Sequence, residues 1–428
     1  MTVLTATGQI TSPTTTGNVS YSVTSFTPKA VLFFTNRVAA GSTDVDYWWM
    51  VGASTGPVDT ESICFTSFSN NGAATSSTAN GYDDKTTCIF LNVDNSATIA
   101  LDADMVSLDA TGFTLNWLTV EATGRAIQWV AIGGTGVSCK AGTMVIDNST
   151  GHQSLTGIGF QPKLTLFFNS RVAIGPGGFS LTAQSSTTAG FGAAASSTQQ
   201  ACTSMMSVDN VGTSDTYQRT TDDHCIFIVT TPGFGNVIVS AEFVSHDIDG
   251  FTINVDKALA NLMRTGFLCI GGDEFQAAVG VDVQPTSNGT SAKTGLGFEP
   301  QGIVFCGTSA TSLNTTASGL SRCLGVALPG SPATQSVISI SDTDAAATTE
   351  VASGTSNAAC LRFMSGPTPT TDAEAAINSF DSDGYTLNWT KTTGATRRFL
   401  YAALGNLAGT SSSQRHRPIG INFLRWRK

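Results

Sequence analysis

The stretch FTPKAVLFFTNR, residues 26–37, returns as FQPKLTLFFNSR at 160–171 and as FEPQGIVFCGTS at 298–309, with leading phenylalanines 134 and 138 residues apart. A chain that repeats a phrase at such intervals has to fold into something that can be built three times. A second phrase keeps step as DATGFTLNW (109–117), DIDGFTINV (247–255) and DSDGYTLNW (381–389), and a third closes each copy as WVAIGG (129–134), FLCIGG (267–272) and YAALGN (401–406). Between the first two phrases, DDKTTCIFLNV (83–93), TDDHCIFIVTT (221–231) and NAACLRFMSG (357–366) hold the same relative place. The constant order divides the 428 residues into units 1–135, 136–273 and 274–408, followed by a tail, 409–428. Each unit of about 135 residues has the size of an ordinary domain, too long for a solenoid repeat.

Within a unit, short β-branched and aromatic runs alternate with clusters of Gly, Asn, Asp, Ser and Pro, and no stretch keeps a 3.6-residue apolar period for three turns. The expected fold is therefore all-β: three tandem antiparallel β-sandwich domains, jelly-roll-like in connectivity, with a short basic C-terminal tail. Proline in each Phe-x-Pro stands just before a strand, where its missing N–H costs little. Asp-x-x-Gly before each FTLNW-type strand is turn chemistry.

Ala30–Phe34, Leu164–Phe168 and Ile303–Cys306 break the alternation of a half-buried strand. Either a long loop, such as 38–62 or 172–200, folds over the outer face, or that face meets another copy or another subunit. Trp48 and Trp49 pose the same problem, because neighbours on a strand point opposite ways. The matching positions hold Thr188-Ala189 and Ser321-Arg322, so the pair is not a requirement of the fold. Tyr47, Trp48 and Trp49 are the candidate ligand or interface residues, as a sugar platform, a protein contact or a loop-covered satellite core.

Charged residues make up only 12% of the chain, against about 25% in an ordinary globular domain. The 44 glycines and abundant Ser, Thr and Ala suit a turn-rich β surface and argue against helical bundles. Net charge is −10, but the tail holds five cations and no acid, which leaves −15 for the remainder. An acidic body argues against nucleic acid and anionic membranes as partners. No apolar run approaches the roughly 18 residues of a membrane span, and MTVLTATGQITS lacks the charged and apolar regions of a signal peptide, so synthesis in a cytosol is expected. The nine cysteines include no CxxC pair, and Cys88, Cys225 and Cys360 open equivalent runs as small buried hydrophobes.

Catalytic chemistry is not written in any recognisable pattern. His152, His224, His246 and His416 lack metal-ligand spacing, and neither a nucleophile elbow nor a phosphate-binding loop is visible. The Asp247-Ile248-Asp249 and Asp381-Ser382-Asp383 turns carry too few carboxylates for calcium, and the first copy has Thr111 at the second Asp. No carboxylate pair stands out for glycoside hydrolysis. The expectation is a non-enzyme without cofactor or metal. In the tail, Ile419, Ile421 and Phe423 alternate with Asn422, Leu424 and Trp426 among Arg415, Arg417, Arg425 and Arg427. This reads either as a strand donated to a neighbouring subunit's edge or as a tail docked on its own third unit.

Phe-x-Pro-Lys-x-x-x-Phe-Phe, the glycine-containing MVGA (50–53) and FGA (191–193), SMMSVDNVGTSDTYQRTTDDHC (204–225), Asp-x-Asp-Gly-Phe-Thr and the closing apolar-Gly-Gly together resemble domains of structural proteins in tailed bacteriophages. The likeness spans nearly all of residues 1–408. The third copy departs most, with Gln301 for the lysine and Cys306 for the second phenylalanine. The resemblance implies a virion component made in the host cytoplasm: an accessory decoration or fibre-like part on head or tail, partnered by capsid or tail subunits or by further copies of itself. The alternative is a carbohydrate-binding adhesin that recognises a host surface glycan. The family brings no catalytic residues.

Overall fold

The computed structural model describes residues 3–39, 42–44, 46–92, 98–173, 179–183, 186–229, 237–260, 262–330 and 334–407. They form antiparallel strands, with no helix among them. The first set is β1 (Leu4–Thr11), β2 (Gly17–Ser22), β3 (Pro28–Thr35), β4 (Thr43–Asp44), β5 (Tyr47–Ser54), β6 (Ser62–Ser69), β7 (Thr78–Asp83), β8 (Thr87–Asn92), β9 (Ile99–Asp109), β10 (Gly112–Thr119) and β11 (Ala126–Gly133). The second is β12 (Ser138–Ile146), β13 (Gly151–Thr156), β14 (Pro162–Ala173), β15 (Phe179–Ala183), β16 (Thr187–Ser196), β17 (Gln199–Ser207), β18 (Thr216–Thr221), β19 (Ile226–Val229), β20 (Val237–Asp247), β21 (Gly250–Lys257) and β22 (Met263–Gly271). The third is β23 (Phe275–Val283), β24 (Gly289–Thr294), β25 (Pro300–Thr308), β26 (Ala317–Ser318), β27 (Leu320–Leu328), β28 (Thr334–Asp342), β29 (Val351–Ser356), β30 (Leu361–Ser365), β31 (Thr370–Asp381), β32 (Gly384–Lys391) and β33 (Arg398–Asn406).

Six sheets result, none closed. Three have seven strands, ordered β1-β11-β3-β5-β6-β7-β15, β12-β22-β14-β16-β17-β18-β26 and β23-β33-β25-β27-β28-β29-β4. Three have four strands, ordered β2-β10-β9-β8, β13-β21-β20-β19 and β24-β32-β31-β30. In the first set the chain passes between the two sheets four times, with β1 in the large sheet, β2 in the small, β3, β5, β6 and β7 in the large, β8, β9 and β10 in the small and β11 back in the large, so that β1 pairs with β11 and β2 with β10.

Each four-stranded sheet packs on the large sheet of its own set. The last strand of each large sheet, however, is borrowed: β15 of the second set pairs with β7 of the first, β26 of the third with β18 of the second, and β4 of the first with β29 of the third. The exchange runs round all three sets and closes, as a head-to-tail interface does when its rotation returns to the start. It also covers edges that would otherwise expose unpaired backbone.

This arrangement explains the unbroken apolar runs. Val31 and Phe33 face the small sheet of their own set, while Ala30, Leu32 and Phe34 face a central core shared by all three. Phe167 likewise points inward, and Leu164, Leu166 and Phe168 point to the centre; Ile303 and Phe305 oppose Val304 and Cys306 in the third set. The second face of each strand therefore meets the other two sets. Each large side chain so buried contributes about 1.5–3 kcal/mol.

Glycines set the spacing of the layers. A Cβ on Gly52, Gly192 or Gly325 would lie 2.1, 1.8 or 2.0 Å from the carbonyl oxygen of Cys88, Cys225 or Cys360. Those cysteines are buried and unpaired, as read from sequence. Their thiols turn to the carbonyls of Ala103, Ala241 and Ala375 at 3.6, 3.4 and 3.5 Å.

Candidate functional site: the three-sheet junction

Counting back from Gly52, Gly192 and Gly325 along β5, β16 and β27 makes Trp49, Ala189 and Arg322 equivalent positions. The three meet. The Arg322 guanidinium lies 4.5 Å from the centroid of the Trp49 ring; Nη1 donates to the Ala189 carbonyl at 2.6 Å and Nη2 to Oγ1 of Thr203 at 3.1 Å. Arg322 is fully buried, and these partners are all neutral. A buried cation without an acid is costly, and the desolvated ring offsets part of that cost, about 2 kcal/mol for a cation–π contact of this kind.

A second equivalent trio, Ser69, Ser207 and Asp342, meets on the same shared face. Ser207 Oγ donates to Asp342 Oδ2 at 2.7 Å, and the Ser69 hydroxyl faces the same carboxyl group. Burial, with the nearby charge of Asp344, pushes the Asp342 carboxyl up to about 7 against the bond from Ser207. Burial also pushes the Tyr47 hydroxyl up, and the Asp342 carboxylate adds to that.

Beyond this trio, the loops after β6, β17 and β28 interlock by one rule applied three times. The amides of Ser76, Ser214 and Thr349 donate to the carbonyls of Val211, Ala346 and Ala73 at 3.0, 2.9 and 2.9 Å. In return, the amides of Asn210, Ala345 and Gly72 donate to the carbonyls of Ser76, Ser214 and Thr349 at 3.0, 2.8 and 2.7 Å. The three hydroxyls accept from the amides of Val211, Ala346 and Ala73 at 3.0, 2.9 and 2.9 Å. The returning residues are left-handed, with φ of 70° at Gly72 and 58° at both Asn210 and Ala345.

The set-to-set connections use the lysine of the first motif. Lys29 Nζ donates to the Val137 carbonyl at 2.6 Å and Lys163 Nζ to the Phe275 carbonyl at 2.9 Å, each clasping the start of the next set. At the third junction, where Gln301 replaces lysine, Thr5 Oγ1 donates to the Gln301 carbonyl at 2.5 Å and the Val3 amide to Asn406 Oδ1 at 2.5 Å. The beginning and end of the described chain thus meet in the way the covalent connections do.

Of the residues singled out in the sequence, Tyr47, Trp48 and Trp49 are at most 2% exposed. Trp48 packs inside its own set against Phe68, while Tyr47 and Trp49 face the central core, so no ring face is open to a sugar. Arg415, Arg417, Ile419, Ile421, Phe423, Arg425, Trp426 and Arg427 lie outside the described residues. The Asp turns are spent on hydroxyls and amides: Asp247 accepts from Ser245 and Thr252, each at 2.7 Å, and Asp249 from the amides of Gly157 and Gly159 at 3.0 and 2.5 Å. No group of His, Cys, Asp and Glu suited to a metal occurs among the described residues. His224 sits between Asp223 and Asp256 at 2.5 and 3.1 Å; burial lowers its pKa, but the two bonds outweigh that and raise it. Among the described residues, no helix is long and apolar enough to cross a membrane.

Arg322 and Asp342 carry the junction's electrostatics, and neither is among the candidates that the sequence offers. The available signal is a charge at an inward position of an otherwise apolar strand, LSRCLGVAL for Arg322, where the sister strands carry Trp49 and Ala189.

No family model and no curated protein matches the chain. One solved structure, the crystal structure of a doubly substituted OccD1 (OprD), shares 9% identity over 88% of this chain and 93% of that one at a TM-score of 0.11. A likeness that low supports no conclusion about fold or function.

Proposed function

We propose that the chain is a non-enzymatic structural protein of a tailed-bacteriophage virion, an accessory decoration or fibre-like component. In this reading it consists of three tandem β-sandwich domains, 1–135, 136–273 and 274–408, fused into one pseudo-trimer. The observation that carries the reading is the closed exchange of β15, β26 and β4, with the threefold lock of Ser76, Ser214 and Thr349. It makes the fused chain a ready-built body with threefold pseudosymmetry, and it commits the motif residues to packing. The tail, 409–428, with its five cations, serves as the strand donated to capsid or tail subunits or to another copy. Mass spectrometry of purified particles tests this: the chain is expected as a stoichiometric component, and its absence from virions refutes the assignment. Glycan binding through Tyr47, Trp48 and Trp49 is not favoured, because all three rings are enclosed.

A further inference from the structure

The second set carries a cleft of about 400 Å³, within the usual range for small-molecule sites, floored by Met206, Val208, Val237 and Leu259 and flanked by Arg171 and Lys257. The first set shows what belongs there. At the equivalent place Trp48 packs against Phe68, the rings tilted by 33° with centroids 5.8 Å apart, and Arg37 lies 4.5 Å over the indole. Glu121 accepts from Arg37 Nε at 3.0 Å and from Arg125 Nε at 2.7 Å. In the second set Thr188 stands for Trp48 opposite Met206, Arg171 for Arg37, and Leu259 for Glu121. The ring and the acid have both gone, while the cation remains. Neither Arg171 nor Lys257 makes a side-chain hydrogen bond or ion pair among the described residues.

We infer that this cleft binds a planar aromatic carboxylate, its ring seated where Trp48 lies in the first set and its anion placed between Arg171 and Lys257, where Glu121 lies. Two cations unpaired among the described residues, beside an apolar floor, select an anion with an apolar body, and the guanidinium adds a face that stacks on a ring. The third set has Ser309 at the arginine position, so one site per chain follows.

Calorimetric titration of the full chain with indole-3-propionate tests the inference, with propionate and 3-methylindole as separate arms. One site per chain is expected, with each fragment binding at least about tenfold more weakly, as loss of a charge-assisted bond or of ring burial requires. Arg171→Gln, at an exposed side chain, is expected to weaken indole-3-propionate about tenfold and leave 3-methylindole unchanged. Thr188→Trp fills the cleft and is expected to abolish binding. No saturable binding by the folded wild-type chain overturns the inference, as does equal affinity for wild type and Arg171→Gln. The outcome is independent of whether the chain belongs to a virion.

Discussion

At the scale of single residues, fusion lets three equivalent positions hold three different side chains. Trp49, Ala189 and Arg322 fit together only because they differ: three tryptophans at one point would clash, and three arginines would repel. Asp342 is the less settled member of its trio. Its carboxyl titrates near 7 in the fold and near 3.8 in the unfolded chain. The folded state therefore holds the proton more tightly, and this group's contribution to stability is present in full below about pH 4, is lost as pH rises from about 4 to 7, and is absent above. Asp342→Asn should make the fall in stability shallower, leaving the share from the raised Asp83 and Asp102, and be the more stable protein at pH 8, by roughly a few kcal/mol; chemical denaturation at pH 5 and 8 checks this. Ala345 takes a left-handed φ of 58° where its equivalents are Gly72 and Asn210. Ala345→Gly is accordingly expected to stabilise by about 0.5–1 kcal/mol, because the relieved strain exceeds the added entropy of the unfolded chain. An unchanged denaturation midpoint would show that the strain is absent.

At the scale of strands and loops, the sequence is informative wherever the pattern is local. Strand-forming runs, their turns and the buried cysteines follow from β-branched content, Gly and Asp placement and repeat position. The apolar runs show that both strand faces are covered, but Leu164–Phe168 reads the same whether a loop or a sister sheet covers it. Two of the three exchanged strands are illegible for a physical reason: β4 and β26 are two residues each, too short to carry a period. Strand order is not legible in the sequence, because it depends on which edges find partners, and composition does not record that. The loop lock rests on hydroxyls that look like ordinary turn residues. Ser214→Ala removes a bond to the Thr343 carbonyl at 2.6 Å and strands the Ala346 amide, so a loss of about 1–3 kcal/mol is expected by thermal melting.

At the scale of the whole molecule, the ring has two covalent joints, at Val137 and Phe275, and one non-covalent joint, where Val3 meets Asn406. If the three joints are physically equivalent, a chain permuted to begin at residue 136 and to run from residue 407 through a short glycine linker into residue 3 should fold to the same monomer, as size-exclusion chromatography with light scattering would show. The central core couples the sets further, since its buried side chains come from all three. Scanning calorimetry of the purified chain tests that coupling most directly. One transition with equal calorimetric and van't Hoff enthalpies, moved to lower temperature as a whole by Arg322→Ala, is the predicted result. Two or three separable transitions, only one of them sensitive to Arg322→Ala, would contradict it.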